Sequence, residues 1–338
     1  MISSLADVRN LMRDLPPPDA DAAAATAERN DRLTKPPGSL GRLEELAVWM
    51  ASWQGRHPPR ANDVFCMVFA GNHGVAAKGV SAFPADVTEQ MVANFAAGGA
   101  GINQLAQLLD ARLEVVPLSL EQPTGDISRE PAMTAAETCD AFRKGFETVR
   151  RANIALIGDM GIGNTTVAAA LGAALFGGDG ADWAGPGTGL DQEGVNHKAA
   201  VIDRALERHR RQPADSLETL ASLGGREIAA MAGAILACRL NRTPVILDGF
   251  VNCAAASVLH CFDARALDHC IAGHVSAEPA AGRFLDHLGK RPLLDLGMRL
   301  GEGSGAACAA LVVRAAVALH DGMATFDEAG VSGKRDDP

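Results

Sequence analysis

The chain has 338 residues, 47% of them apolar and 4% aromatic with no tyrosine, enough to bury a large and chiefly aliphatic core. Its 31 basic and 41 acidic side chains leave a net charge of −10, which disfavours nucleic acid and anionic membrane surfaces as partners. No apolar run reaches the ~18 residues of a membrane span, and the opening Met-Ile-Ser-Ser-Leu-Ala-Asp lacks the basic-then-apolar pattern of a signal peptide.

Residues 1–50 read as helices, broken by Pro16-Pro-Pro18 and by the loop Lys35-Pro-Pro-Gly-Ser-Leu-Gly41. Short apolar runs then alternate with alanine-rich helical stretches. The strand candidates are residues 64–70, 113–118, 153–157, 243–247, 270–274 and 293–296. Each reads as apolar throughout rather than alternating, which suits a parallel sheet covered on both faces by helices. The expected fold is therefore α/β, Rossmann-like and three-layered. Ligands of such sheets bind beyond the carboxyl ends of the strands. That directs attention to Gly71-Asn-His73, Gly158-Asp159, Asp248-Gly249, Gly273-His274 and Gly297. Residues 305–320 read as an alanine-rich helix and 330–338 as a polar tail. The short basic stretches at 208–211 and 290–291 read as solvated helix faces or ends.

The stretch Ile157-Gly-Asp-Met-Gly-Ile-Gly-Asn-Thr-Thr166 nearly spells two phosphate-binding signatures and completes neither. As a P-loop it has Asn164 where the lysine belongs; as a dinucleotide fingerprint it has Thr166 where the last glycine belongs. A nucleoside triphosphate and a dinucleotide are both disfavoured. One terminal phosphate would need only a few backbone N–H groups at a helix start and the hydroxyl of Thr165 or Thr166. A plain strand-to-helix turn with threonine capping the helix is the competing reading.

A second glycine-rich loop, Gly185-Pro-Gly187-Thr-Gly189-Leu-Asp191, follows within the next thirty residues and precedes Lys198. Two such loops and a lysine can encircle a phosphate and its ribose, although a lone lysine is more often solvated. A third loop, Leu300-Gly-Glu302-Gly-Ser-Gly-Ala306, sets a glutamate between glycines, where partial desolvation would raise its pKa and make it a better base. A first-turn glutamate favoured by the helix dipole is the alternative. His73 and His274 each follow a predicted strand, where either could be a general base or a strand-end cap, and stay unassigned. The seven cysteines are scattered without a C-x-x-C pair and read as buried thiols of a cytoplasmic protein. Neither they nor the nine histidines have zinc-ligand spacing, so no metal is expected.

Taken in order, these blocks resemble one family, the nicotinate-nucleotide–dimethylbenzimidazole phosphoribosyltransferases of cobalamin synthesis. They begin with Lys35-Pro-Pro-Gly-Ser-Leu-Gly-Arg-Leu-Glu44, Phe69-Ala-Gly-Asn-His-Gly-Val75, Ser81-Ala-Phe-Pro, Val87-Thr-Glu-Gln-Met91 and Gly98-Gly-Ala-Gly-Ile-Asn103. They continue through Gly161-Ile-Gly-Asn-Thr-Thr166, Gly185-Pro-Gly-Thr-Gly189 and Asp248-Gly-Phe to His274-Val-Ser276-Ala-Glu-Pro279 and Arg299-Leu-Gly-Glu-Gly-Ser-Gly-Ala306. The resemblance implies transfer of the 5-phosphoribosyl group of nicotinate mononucleotide to 5,6-dimethylbenzimidazole with inversion at C1′, giving α-ribazole 5′-phosphate and nicotinate. It implies Glu302 as the base and no cofactor.

By the same resemblance Ser81, Gln90 and Met91 belong to the benzimidazole pocket. Lys198, Ser276 and the turn of Gly161, Gly163, Asn164 and Thr165 hold the nucleotide's phosphate and ribose, with Gly187 and Gly189 in the second loop and Asp248 nearby. Asp159 stands where the family often has glutamate, and reads as an auxiliary catalytic acid one methylene shorter. The family further implies a homodimer built from an α/β catalytic domain (61–300) and a smaller helical unit (1–60 with 301–338). Two rivals remain: a related transferase using adenine, benzimidazole or a phenolic acceptor, and a non-catalytic sensor of nucleotide or benzimidazole on the same fold.

Overall fold

The computed structural model describes residues 2–209 and 215–332. Arg210 and Arg211 of the basic stretch, and 333–338 of the polar tail, lie outside them. Five of the apolar runs form strands: β1 (Val64–Ala70), β2 (Arg112–Pro117), β3 (Ile154–Met160), β4 (Val245–Leu247) and β5 (Cys270–Ala272). They make one sheet in the order β2-β1-β3-β4-β5, with every neighbouring pair parallel. The chain builds outward from β1 to β2, then returns to β1's other side with β3. The order reverses between β1 and β3, the place where open α/β sheets leave a ligand crevice.

Side chains alternate across the sheet and divide the core in two. Phe65, Met67, Phe69, Ala155, Ile157, Val245 and Leu247 face helices Ala135–Thr148, Asn164–Phe176, Arg226–Leu240 and Phe250–Phe262. Val64, Cys66, Val68, Ile154, Leu156 and Ile246 face helix Ser304–Gly322, with Arg42–Gln54 and Gly101–Leu108 beside it. The result is the three-layer α/β arrangement that continuous apolar strands predict.

The abundance of small residues has a packing reason. A Cβ on Gly145 would fall 1.8 Å from the Ala230 carbonyl oxygen, and one on Gly233 would fall 2.0 Å from that of Phe142. Helices Ala135–Thr148 and Arg226–Leu240 therefore cross almost backbone to backbone.

Two strand expectations need correction. Residues 293–296 do not form a strand: only Leu293 and Leu294 donate to β5's end, at the Ala272 and Gly273 carbonyls, and Leu296 is exposed. Pro292 contributes no N–H, and Gly297, at φ +63°, turns the chain away. β2 is not uniformly buried either, because it is the sheet edge and carries Arg112 and Glu114 on exposed or half-buried positions.

The chain ends are tied together. Arg29 donates to the carbonyls of His320, Asp321 and Met323, and Leu33 bridges Thr325. Helix Ser304–Gly322 is long and apolar enough in composition to cross a bilayer, with mean hydropathy 1.3. Its apolar side instead lies on the sheet through Ala306, Ala310 and Val313.

Candidate active site

A cavity of about 460 Å³ opens beyond the carboxyl ends of β3, β4 and β5. One wall is the turn from Asp159 to Thr165. Gly187 and Thr188, with Ser276 and Glu278 from the segment after β5, line the cavity as well. Arg299 to Gly301 and Phe83 frame the mouth, where Phe83 and Leu300 remain exposed. The strands thus bring together loops far apart in sequence.

Helix Asn164–Phe176 begins at Gly163, whose φ of +92° turns the chain sharply out of β3. No side chain caps this helix start, so the threonine-cap reading does not describe it. Its positive end faces the cavity at Asn164 and Thr165. The turn is pinned from outside by Thr88, whose Oγ1 accepts from the Ile162 N–H at 3.1 Å.

Lys198, from helix Gln192–His209, is fully buried beneath this corner. Its Nζ donates to Thr165 Oγ1 at 2.8 Å and to the Gly185 carbonyl at 3.1 Å. Burial brings its pKa down to about 8, with the nearby Glu278 charge pulling the other way. A Cβ on Gly187 would stand 2.9 Å from Thr165 Oγ1 and 3.3 Å from Lys198 Nζ. Glycine here leaves room beside the hydroxyl, which lines the cavity, and the ammonium behind it. Arg299 Nη1 holds the same loop through the Gly187 carbonyl at 2.6 Å. Ser276 Oγ accepts from the Glu278 N–H at 3.3 Å.

The acidic side of the site is denser than the sequence suggests. Asp159 lines the cavity, and its carboxylate accepts from Asn164 Nδ2 at 2.8 Å and Asn252 Nδ2 at 3.4 Å. Burial, followed by the charges of Asp248 and Glu227, pushes its pKa up to about 7. Asp248 is wholly buried and is not on the cavity wall. It accepts from the N–H groups of Gly303 (3.2 Å) and Ala306 (2.9 Å), fastening the start of helix Ser304–Gly322 to the end of β4. It braces the Glu302 turn from behind the cavity wall, next to Gly249, which lines it.

Glu302 has φ +64°, between Gly301 at +80° and Gly303 at +84°. A left-handed conformation at a non-glycine residue costs roughly 1–2 kcal/mol. The fold holds it there: the Glu302 N–H donates to the Asp159 carbonyl at 3.2 Å, and Gly158 lets the turn lie against β3. The carboxylate is buried and accepts from the Ile102 N–H at 3.3 Å. Burial raises its pKa, partly offset by the Ile102 and Gly101 amides. A helix N-terminus does hold this glutamate, but it is that of helix Gly101–Leu108, not of the helix that follows it.

The expected residues divide into groups. Asp159, Gly161, Asn164, Thr165, Gly187 and Ser276 line one cavity. Lys198 reaches it through Thr165 and Gly187, and Gly163 shapes the turn behind it. Ser81 lies at its edge, 3.1 Å from Thr188 Oγ1. Glu302 adjoins it behind Gly301, while Gln90, Met91 and Gly189 are off the wall. His73 is buried with Nε2 2.9 Å from Glu227 Oε1, under the turn rather than in the cavity. His274 lines the cavity, with burial lowering its pKa. Local pattern does not single out Glu278, Arg299, Met160 or Phe83, although all four lie within stretches quoted above.

A phosphoribosyltransferase family profile matches residues 15–331. A nicotinate-nucleotide–dimethylbenzimidazole phosphoribosyltransferase of Ruegeria sp. strain TM1040 is 56% identical over 332 residues, covering 98% of each chain. One of the same name from Rhizobium rhizogenes strain K84 is 54% identical over 329 residues, covering 97% of each. A crystal structure of CobT from Thermus thermophilus superposes with a TM-score of 0.87 at 42% identity, over 92% of this chain and 99% of that one.

Proposed function

We infer how the site works from the premise that the chain belongs to the nicotinate-nucleotide–dimethylbenzimidazole phosphoribosyltransferase family. The chain is a phosphoribosyltransferase of cobalamin biosynthesis. It moves the 5-phosphoribosyl group of nicotinate mononucleotide to 5,6-dimethylbenzimidazole; inversion at C1′ is what the family resemblance implies. The observation that carries a division of labour is one cavity where a lysine-backed helix start meets the buried carboxyl of Asp159, with the Glu302 turn beside it at Gly301.

In this reading the 5′-phosphate sits at the start of helix Asn164–Phe176. It accepts from Thr165, Ser276 and the N–H of Lys198 left over from Thr165 and Gly185. The ribose then extends toward Asp159. The bond from C1′ to the pyridinium nitrogen breaks with its electron pair going to nitrogen, so nicotinate leaves without needing a proton. A benzimidazole nitrogen lone pair forms the new bond to C1′ from the opposite face. The ring's other N–H, made acidic by the positive charge, passes its proton to Glu302. A glutamate held desolvated suits that step, because burial raises its affinity for the proton. Asp159, aimed by two asparagines, presents negative charge to the ribosyl carbon as it becomes cationic.

Phe83, Met160 and Leu300 provide an apolar wall for the acceptor ring. Ser81 stands at that edge; Gln90 and Met91 are assigned to the acceptor by family resemblance alone. The chain is further assigned to the cytoplasm as a homodimer, with residues 1–60 and 301–338 as its smaller helical unit, whose helix Ser304–Gly322 also covers one face of the sheet. In support, all seven cysteines are free thiols and the chain ends are joined by hydrogen bonds. The test is incubation with both substrates and chromatography of the products. α-Ribazole 5′-phosphate appearing in step with nicotinate supports the reading; nucleotide binding with no transfer would replace it with a sensor.

A further inference from the structure

Glu278 has no place in the division of labour above, yet it stands out physically. It is 5% exposed, lines the cavity, and neither carboxylate oxygen has a hydrogen-bond partner among the described residues. Asp159 is held by two asparagines, and Asp248 and Glu302 by backbone amides; Glu227 also lacks a hydrogen bond among the described residues, but it lies off the cavity wall with His73 Nε2 2.9 Å away. A buried carboxylate without donors is costly and calls for a ligand that brings them.

Its surroundings narrow what that ligand group is. The Glu278 N–H donates to Ser276 Oγ, and a Cβ on Gly185 would fall 2.1 Å from Glu278 Oε2. The carboxylate therefore lies against the loop whose carbonyl takes Lys198. Lys198 attracts it by charge but makes no hydrogen bond to it, since its ammonium donates to Thr165 and Gly185. On nicotinate mononucleotide the phosphate and the nicotinate carboxylate only accept hydrogen bonds. The ribose 2′- and 3′-hydroxyls are its only hydrogen-bond donors, and they are tethered a few bonds from the phosphate.

Resting on the phosphate position assigned above, we propose that Glu278 accepts hydrogen bonds from the ribose 2′- and 3′-hydroxyls and makes the site selective for ribonucleotides. The carboxylate adjoins the phosphate corner through Ser276 and Gly185, so the vicinal diol meets it while C1′ stays free toward Asp159. An anionic acceptor strengthens each such bond relative to a neutral one. The benzimidazole N–H is the other donor in the reaction, and it is consumed by Glu302.

Titration calorimetry of wild type and Glu278→Gln with nicotinate mononucleotide and its 2′-deoxy and 3′-deoxy counterparts tests this. Wild type should bind the ribonucleotide roughly 10- to 100-fold more tightly than either analogue, as expected for hydrogen bonds to a charged group. Glu278→Gln should bind the three within about threefold of one another, with inorganic phosphate binding unchanged. Glu278→Met, uncharged and similar in length, replaces it should the glutamine variant not fold. Discrimination retained in the variant, or absent in a wild type that binds all three, overturns the assignment of Glu278. A wild type that binds none overturns the underlying reading of the site as well. A rise in the KM for benzimidazole with the deoxy ratio intact overturns the proposal in favour of an acceptor role.

Discussion

Gly158→Ala perturbs the catalytic turn without touching a reacting group. A Cβ there would lie 2.3 Å from the Glu302 carbonyl carbon, 2.4 Å from its oxygen and 2.5 Å from the Gly303 nitrogen. Ordinary heavy-atom contact is about 3.5 Å, so the turn must retreat by roughly 1 Å. No side-chain rotation can absorb this, because the obstructing atoms are backbone. The turn is fixed by Asp248 at Gly303 and Ala306, and by the Asp159 carbonyl at Glu302. Displacing a catalytic group by about 1 Å can cost ~100-fold in rate. Overpacking of this kind costs about 1–3 kcal/mol of stability. Steady-state transfer assays should show kcat down by about two orders of magnitude. The nucleotide KM should stay within about threefold, since Lys198, Thr165 and Gly187 are untouched. A variant that folds, melts like wild type and turns over within about threefold of it would refute a fixed Glu302 turn.

Lys198→Met should raise the nucleotide Kd by about 10- to 100-fold through loss of a charged hydrogen bond. Its melting temperature should hold or rise, because a fully buried ammonium with its pKa brought down to about 8 is no longer desolvated; calorimetry and thermal melts read both. Gly187→Ala strains a residue at φ +54° and crowds Thr165 and Lys198. It should raise the nucleotide KM about tenfold with kcat nearly unchanged. Asp159 titrates near 7 when folded against 3.8 ordinarily. Between those values the folded chain holds the extra proton, so this residue's contribution to stability declines as pH rises through the window and is flat above it. Asp159→Asn should therefore lose less melting temperature than wild type from pH 4 to pH 7; parallel melting curves would contradict the buried carboxyl.

The strands and the three glycine-rich loops are legible because they are local. Apolar runs without alternation mark buried parallel strands, and 64–70 and 270–272 fall where they do for that reason. The run at 293–296 misleads because composition cannot show that Leu296 is left largely exposed. The phosphate end could be assembled in outline from Gly161, Asn164, Thr165, Gly187 and Lys198. What no pattern carries is direction over distance. Glu302 turns to Ile102, two hundred positions earlier in the chain, and Asp248 points under the turn instead of into the cavity. Glu278 becomes conspicuous only once its neighbours are seen to offer it no hydrogen bond.

Transfer by Glu302→Gln tests the central claim most directly. The substitution keeps the shape of the turn and removes only the proton acceptor. Single-turnover measurements with nicotinate mononucleotide and 5,6-dimethylbenzimidazole should show formation of α-ribazole 5′-phosphate slowed by about 100- to 10,000-fold, with the nucleotide Kd near that of wild type. Transfer at the wild-type rate would contradict the assignment of Glu302 as the base.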